Sequence, residues 1–257
     1  MSGPTLAELR AGGQPPSVID RLNDEHWAGR LYMRKISPRA TWVFARLGWS
    51  PNAVTVAFII CGVAAGVVEA FGGLWTAVAG VILIQAYLLF DCSDGELARW
   101  SKRTSASGVF LDLIGHYLGE SALLVGLGIR AQGHFALSGG YVSAGLGAAL
   151  LAAIVKAETD NVIVARAKAG LSGTYQAAAL APRARRLALA RRLASVLRVH
   201  RITQAVELSL LILAATIVDV VRGGLTATRV LDIACLTVAA AMVIAHLAAI
   251  LASRRLR

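Results

Sequence analysis

Six separate stretches of this chain are apolar enough and long enough to cross a bilayer, and no other feature restricts its fold so strongly. A helix rises about 1.5 Å per residue, so a hydrocarbon layer of about 30 Å takes roughly 20 apolar residues. The stretches run over residues 53–71, 74–97, 109–129, 137–163, 202–221 and 225–252. With 56% hydrophobic and only 16% charged residues, the expected fold class is an all-α integral membrane protein with six transmembrane helices.

The formal charge of +11 does not point to nucleic acid. Arg and Lys cluster between the apolar stretches rather than along one soluble face, which is the pattern of cytoplasmic loops. Region 30–46, the turn with Arg99, Lys102 and Arg103, segment 166–201 and the tail with Arg254, Arg255 and Arg257 all fall on one side. Glu69, Arg130, Arg222 and Arg229 fall on the other. Both termini are therefore expected in the cytoplasm of a bacterial-type membrane. Cys61, Cys92 and Cys235 have neither a paired framework nor zinc-ligand spacing.

Residues 1–50 are expected as a cytoplasmic segment and 51–257 as the membrane domain. The first 39 residues lack the apolar core of a cleaved signal peptide, so the first span should direct insertion. Residues 26–47 mix Trp27, Leu31, Trp42, Val43 and Leu47 with Arg30, Arg34, Lys35 and Arg39. That mixture predicts an amphipathic helix lying on the membrane, broken near Pro38. Residues 182–201 carry seven arginines among apolar residues and read first as an anchor for anionic membrane lipids.

The second to fourth stretches contain ionisable residues, which are costly inside a membrane unless they have partners or line a hydrated cavity. Asp91 and Asp94 are three apart and share one helical face. Asp112 and His116, four apart, do the same after the intervening turn. Three carboxylates converging from two helices would suit Mg²⁺ or Mn²⁺. Counted from Leu74, Asp91 lies about 25 Å along its helix, near the cytoplasmic edge and within reach of a soluble nucleotide. Gly95, Ala98 and Gly108 leave room for close approach beside the carboxylates.

The string DCSDGELARWSKRTSASGVFLDLIGH resembles the signature of the CDP-alcohol phosphotransferases, D-x-x-D-G-x-x-A-R, then after eight residues G-x-x-x-D-x-x-x-D. Asp91, Asp94, Gly95, Ala98, Arg99, Gly108 and Asp112 all match in type and spacing. Pro51, Asn52 and Thr55 resemble a further family element. The resemblance implies attack by an alcohol hydroxyl on the β-phosphorus of a CDP-alcohol, giving a phosphodiester and CMP. It implies Asp91, Asp94 and Asp112 as metal ligands, Gly95, Ala98, Arg99, Gly108, Asn52 and Thr55 beside the CDP moiety, and a homodimer.

Where the family has its final Asp this chain has His116. Imidazole is a competent base or a metal ligand, and Glu120, one turn on, could orient the ring or supply the missing carboxylate. Lys156, Glu158 and Asp160 form a second polar group, with Arg166 and Lys168 beyond. Lys156 and Asp160 have the spacing of an internal ion pair. Lys156, Arg166 and Lys168 are otherwise candidates for binding the acceptor. The leading expectation is a transferase with CDP-diacylglycerol as donor and a small polar alcohol as acceptor. The alternatives are a CDP-polar-alcohol donor with a lipid acceptor, an ion or proton transporter, and a non-catalytic CDP-lipid binder.

Overall fold

The computed structural model describes residues 4–15, 27–171, 199–252 and 256, and every regular element among them is helical. Helix α1 spans Leu6–Gly13, and a π-helical turn over Gly29–Met33 runs into α2, Arg34–Arg46. Four long helices follow: α3 (Pro51–Glu69), α4 (Leu74–Trp100), α5 (Ala106–Gln132) and α6 (Gly140–Lys168). A 3-10 turn over Val199–Thr203 leads to α7 (Ala205–Arg222) and α8 (Thr226–Ala252). Most of the arginine run expected over 182–201, and the tail residues Arg254, Arg255 and Arg257, lie outside the described residues.

Among the described residues, α3, α4, α5, α6 and α8 are long and apolar enough to cross a membrane. The stretch expected as a span over 202–221 forms α7, which is 18 residues long and carries Glu207, Asp219 and Arg222. That charge keeps it out of the apolar set. Local chemistry sets the helix starts. Ser50 and Ser105 accept hydrogen bonds from the N–H groups of Ala53 and Gly108, and Pro51 occupies the first turn of α3. The apolar stretch beginning at residue 137 yields to backbone geometry: Gly133 and Gly139 take φ of +90° and +136°, and α6 starts only at Gly140.

Helix α3 packs along both α4 and α5, α6 packs between α5 and α8, and α7 closes against α4 and α8. The backbones of α4 and α5 stay apart, so side chains rather than helix faces meet across the gap between them. Close approach of α3 to α5 needs glycine: a Cβ on Gly66 would lie 2.3 Å from the Ala122 carbonyl. Two glycines of α6 also pack inside the chain, while Gly140 at its start faces open space. Gly145 packs on Gly128, and Gly147 faces Leu236.

Glu69 and Arg130, read from sequence as charges on the outer side, form a buried ion pair. Arg130 Nη1 lies 2.7 Å from Glu69 Oε2, and its guanidinium also donates to the Gly73 carbonyl and to Thr216. The pair fastens α3 to α5 and α7 at the end remote from the carboxylate motif.

The expected break at Pro38 does not occur, because α2 runs straight through it. Proline has no N–H to give the carbonyl four residues back, which strands the Arg34 oxygen. Gln14 Nε2 takes that oxygen at 2.8 Å and donates to Glu96 Oε1 at 2.8 Å. Glu96, buried on α4, also accepts from Ser37 at 2.5 Å and Thr41 at 2.7 Å. Residues 4–15 and α2 are thus clamped to the same turn of α4 that carries the motif.

Candidate active site

A cleft of about 350 Å³ opens at one end of the bundle, formed by the start of α3, the end of α4, and the 101–105 turn with the start of α5, with Arg34 of α2 also lining it. Asp91, Asp94, Gly95, Ala98 and Arg99 line it from α4, Gly108 and Asp112 from α5, and Asn52 and Thr55 from α3. The α-helical repeat accounts for this grouping, since positions 91, 94, 95 and 98 project from one face.

Asp91, Asp112 and His116 each present a ligating atom, all within 4.8 Å of one another. His116 Nε2 lies 3.3 Å from Asp91 Oδ1 and 3.7 Å from Asp112 Oδ1. Two carboxylates and an imidazole at these separations fit a divalent cation, which would offset the mutual repulsion of the carboxylates. Asp94 borders the cleft but faces another partner: its Oδ2 accepts a 2.7 Å hydrogen bond from Thr55. Thr55, matched to the nucleotide region, thus carries a carboxylate of the motif on α3.

Arg99 reaches the cleft with one nitrogen committed, since Nε donates to the Gly13 carbonyl at 2.7 Å. Gly95 matters for this arrangement because its hypothetical Cβ would meet Arg99 Nη1 at 3.0 Å. Asn52 crosses to α5, where its Nδ2 lies 3.4 Å from Ser107 Oγ. A Cβ on Gly108 would lie 3.1 Å from Asn52 Oδ1.

Glu120 is elsewhere. It lies outside the cleft lining and pairs with Lys156 at 3.1 Å. The group on the imidazole's other nitrogen is Tyr87, whose hydroxyl is 2.9 Å from His116 Nδ1. Tyr87 stands four residues before Asp91, on the same face of α4. A phenol within an apolar span needs a polar partner, and that was the sequence signal for this contact.

The Lys156–Asp160 pairing within α6 gives way to pairings between helices. Lys156 meets Glu120, Asp160 accepts from Tyr117 on α5 at 2.8 Å, and Glu158 meets His246 on α8 at 2.8 Å. Helical spacing brings 156 and 160 to one face and turns 158 to another. Arg166 is buried near the end of α6 and Lys168 is exposed at its last turn. None of Lys156, Arg166 or Lys168 lines the 350 Å³ cleft.

Membrane-length helices around an acidic, cation-competent cleft define a polytopic membrane protein with a polar site at one end of its bundle. Residues 49–255 match the family model for CDP-alcohol phosphatidyltransferase, and the chain belongs to that family. It is a transferase of the class that moves a phosphate group from a CDP-alcohol. Comparison with curated protein sequences gives no match.

Proposed function

We propose that the chain transfers a substituted phosphate from CDP-diacylglycerol to the hydroxyl of a small polar alcohol, releasing CMP in polar-lipid synthesis. The observation that carries this reading is the gathering of every matched motif residue around one cleft, with Asp91, Asp112 and His116 at ligating distance. Asp91, Asp112 and His116 would hold Mg²⁺ or Mn²⁺, with Asp94 alongside. Bound there, the cation offsets charge developing on the diphosphate.

The acceptor oxygen attacks the β-phosphorus and the bond from that phosphorus to the bridging oxygen breaks. The electron pair leaves with CMP, and the hydroxyl proton passes to a carboxylate of the Asp91–Asp112 group. Gly95, Ala98 and Gly108 admit the nucleotide close to the backbone, and Arg99 lies beside its phosphates. Asn52 ties α3 to the start of α5 across the same opening. In this reading the cleft opens at the cytoplasmic face, both termini lie on that side, α7 completes six crossings, and the protein works as a homodimer. The diacylglycerol chains enter between helices, and membrane lipids surround the bundle.

The test is CMP release by purified protein supplied with CDP-diacylglycerol or CDP-polar alcohols, with and without Mg²⁺ or Mn²⁺. Metal-dependent CMP from CDP-diacylglycerol and a polar acceptor is expected. CMP only from a CDP-polar alcohol with a lipid acceptor reverses the substrate assignment. Nucleotide binding without CMP from any donor makes the protein a binder rather than an enzyme.

A further inference from the structure

The imidazole of His116 sits in a built cradle, and the cradle constrains what the ring can do. Tyr87 is 3% exposed, and its ring lies 4.4 Å from that of Phe58. Phe58 in turn meets the imidazole edge-on at 5.2 Å and 69°. Glycine makes the room. A Cβ on Gly115 would lie 2.1 Å from Phe58, and Cβ atoms on Gly62 and Gly119 would each lie 2.8 Å from the Tyr87 ring. Three glycines on two helices, α3 and α5, therefore give up side chains so that two aromatic rings can hold one imidazole.

Within that cradle Nδ1 is engaged by the Tyr87 hydroxyl at 2.9 Å, which leaves Nε2 as the nitrogen facing Asp91 and Asp112. With metal–ligand bonds of about 2.1 Å, neighbouring donors lie about 3.0 Å apart in an octahedron and about 3.4 Å apart in a tetrahedron. The observed 3.3 and 3.7 Å lie within a few tenths of an ångström of the tetrahedral edge, and the longer one is about 0.7 Å beyond the octahedral edge.

We propose that His116 is a cation ligand through Nε2, forming with Asp91 and Asp112 a mixed nitrogen and oxygen site, and that Tyr87 is the positioning residue that aims it. This rests on the reading that the cleft holds a divalent cation. It assigns the replacement of the family's last carboxylate to a change of donor set rather than to a lost function. Ligation through Nε2 requires the ring proton on Nδ1, whose N–H then donates to the Tyr87 oxygen. A partner on the far nitrogen is the usual means by which proteins fix a ligating imidazole. Nitrogen in the donor set favours first-row transition ions over Mg²⁺, so Mn²⁺ is the ion of choice for a test.

The experiment is pulsed electron paramagnetic resonance on the full chain in detergent, loaded with Mn²⁺, read for nitrogen modulation of the metal signal. Wild type is expected to show imidazole nitrogen coupling, and ¹⁵N-histidine labelling should change it, a measurement that needs no variant. His116→Asp should bind Mn²⁺ without the coupling. Tyr87→Phe, which keeps the ring in its cradle, should retain the coupling and raise the Mn²⁺ dissociation constant on the order of tenfold.

Bound Mn²⁺ without nitrogen coupling in wild type, or coupling that survives in His116→Asp, would overturn the ligand assignment. Failure of wild type to bind Mn²⁺ would do the same. An unchanged dissociation constant in Tyr87→Phe would remove Tyr87 from its role. CMP release without nitrogen coupling would leave the transferase reading standing and this inference refuted. Coupling without CMP from any donor would do the reverse.

Discussion

Glu96→Ala tests whether the N-terminal segment is part of the active-site framework. In the native protein the Glu96 carboxylate accepts from Gln14, Ser37 and Thr41, and Arg34 Nη1 lies 3.5 Å away. After truncation Thr41 keeps the Ser37 carbonyl at 2.9 Å, and Gln14 keeps the Arg34 carbonyl at 2.8 Å with one of its two N–H groups. The other Gln14 N–H and the Ser37 hydroxyl lose their acceptor. At about 1.5 kcal/mol for each buried donor left unsatisfied, the docked state loses roughly 3 kcal/mol. One decade corresponds to about 1.4 kcal/mol, so local opening of α1 and α2 should rise on the order of 100-fold.

Amide hydrogen exchange of detergent-solubilised protein, resolved to peptides from Leu6–Gly13 and Arg34–Arg46, reads that opening directly. Arg99 should respond as well, because the Gly13 carbonyl holds its Nε; its release should raise KM for the CDP-donor more than it lowers kcat. Unchanged protection of Leu6–Gly13 would refute the clamp. So would equal loss of protection across α3 and α5, since the defect would then be global rather than local.

Thr55→Val removes the hydroxyl that holds Asp94 Oδ2 at 2.7 Å, and CMP release should fall on the order of tenfold with little change in thermal midpoint; undiminished release would free Asp94 from that orientation. Arg130→Met leaves Glu69 buried without its cation, which costs about 3–5 kcal/mol and should lower the unfolding midpoint in detergent, with Glu69→Gln in the same chain recovering part of it. Gly66→Ala puts a methyl 2.3 Å from the Ala122 carbonyl and should cost about 1–3 kcal/mol, read as a lower midpoint together with weaker metal-dependent nucleotide binding as α3 and α5 separate. Asp232 is fully buried with both carboxyl oxygens lacking a hydrogen-bond partner among the described residues, so Asp232→Leu should raise the midpoint; a lower one would show that the carboxyl has a partner in the membrane.

Hydropathy and helical spacing made the helices and the motif faces legible. The second span starts at Leu74 in sequence and structure alike, and the spacing of Asp91, Asp94, Asp112 and His116 anticipated which side chains would share a face. What spacing cannot reveal is the neighbour opposite that face. Glu120 and Lys156 were read as parts of two different groups, yet they pair across α5 and α6. Glu96 passed as an unremarked position inside the motif, although four groups from the N-terminal segment surround it. Tyr87 was hidden for the same reason: its partner is 29 residues away on another helix. Pro38 misled because a break is the local consequence of a missing N–H, whereas the side chain of Gln14 repairs it from outside the helix.

Membrane-length helices impose a condition on their charges that helps locate the site. Each ionised group withdrawn from water must find a counter-charge, hydrogen-bond donors or a hydrated opening. Arg130 and Glu69 satisfy it together, as do Lys156 and Glu120, and His246 and Glu158. Asp160 has the Tyr117 hydroxyl, and Asp219 accepts the N–H groups of Ala227 and Thr228 at the start of α8. Asp91 and Asp112 belong to the other kind. They line one cleft, and among the described residues both pair with one imidazole. Two carboxylates sharing one neutral or singly charged ring leave net negative charge where they meet, which a divalent ion would offset. His116 beside them offers a donor atom without adding a further negative charge, so the group could take a divalent ion with less mutual repulsion than three carboxylates would have.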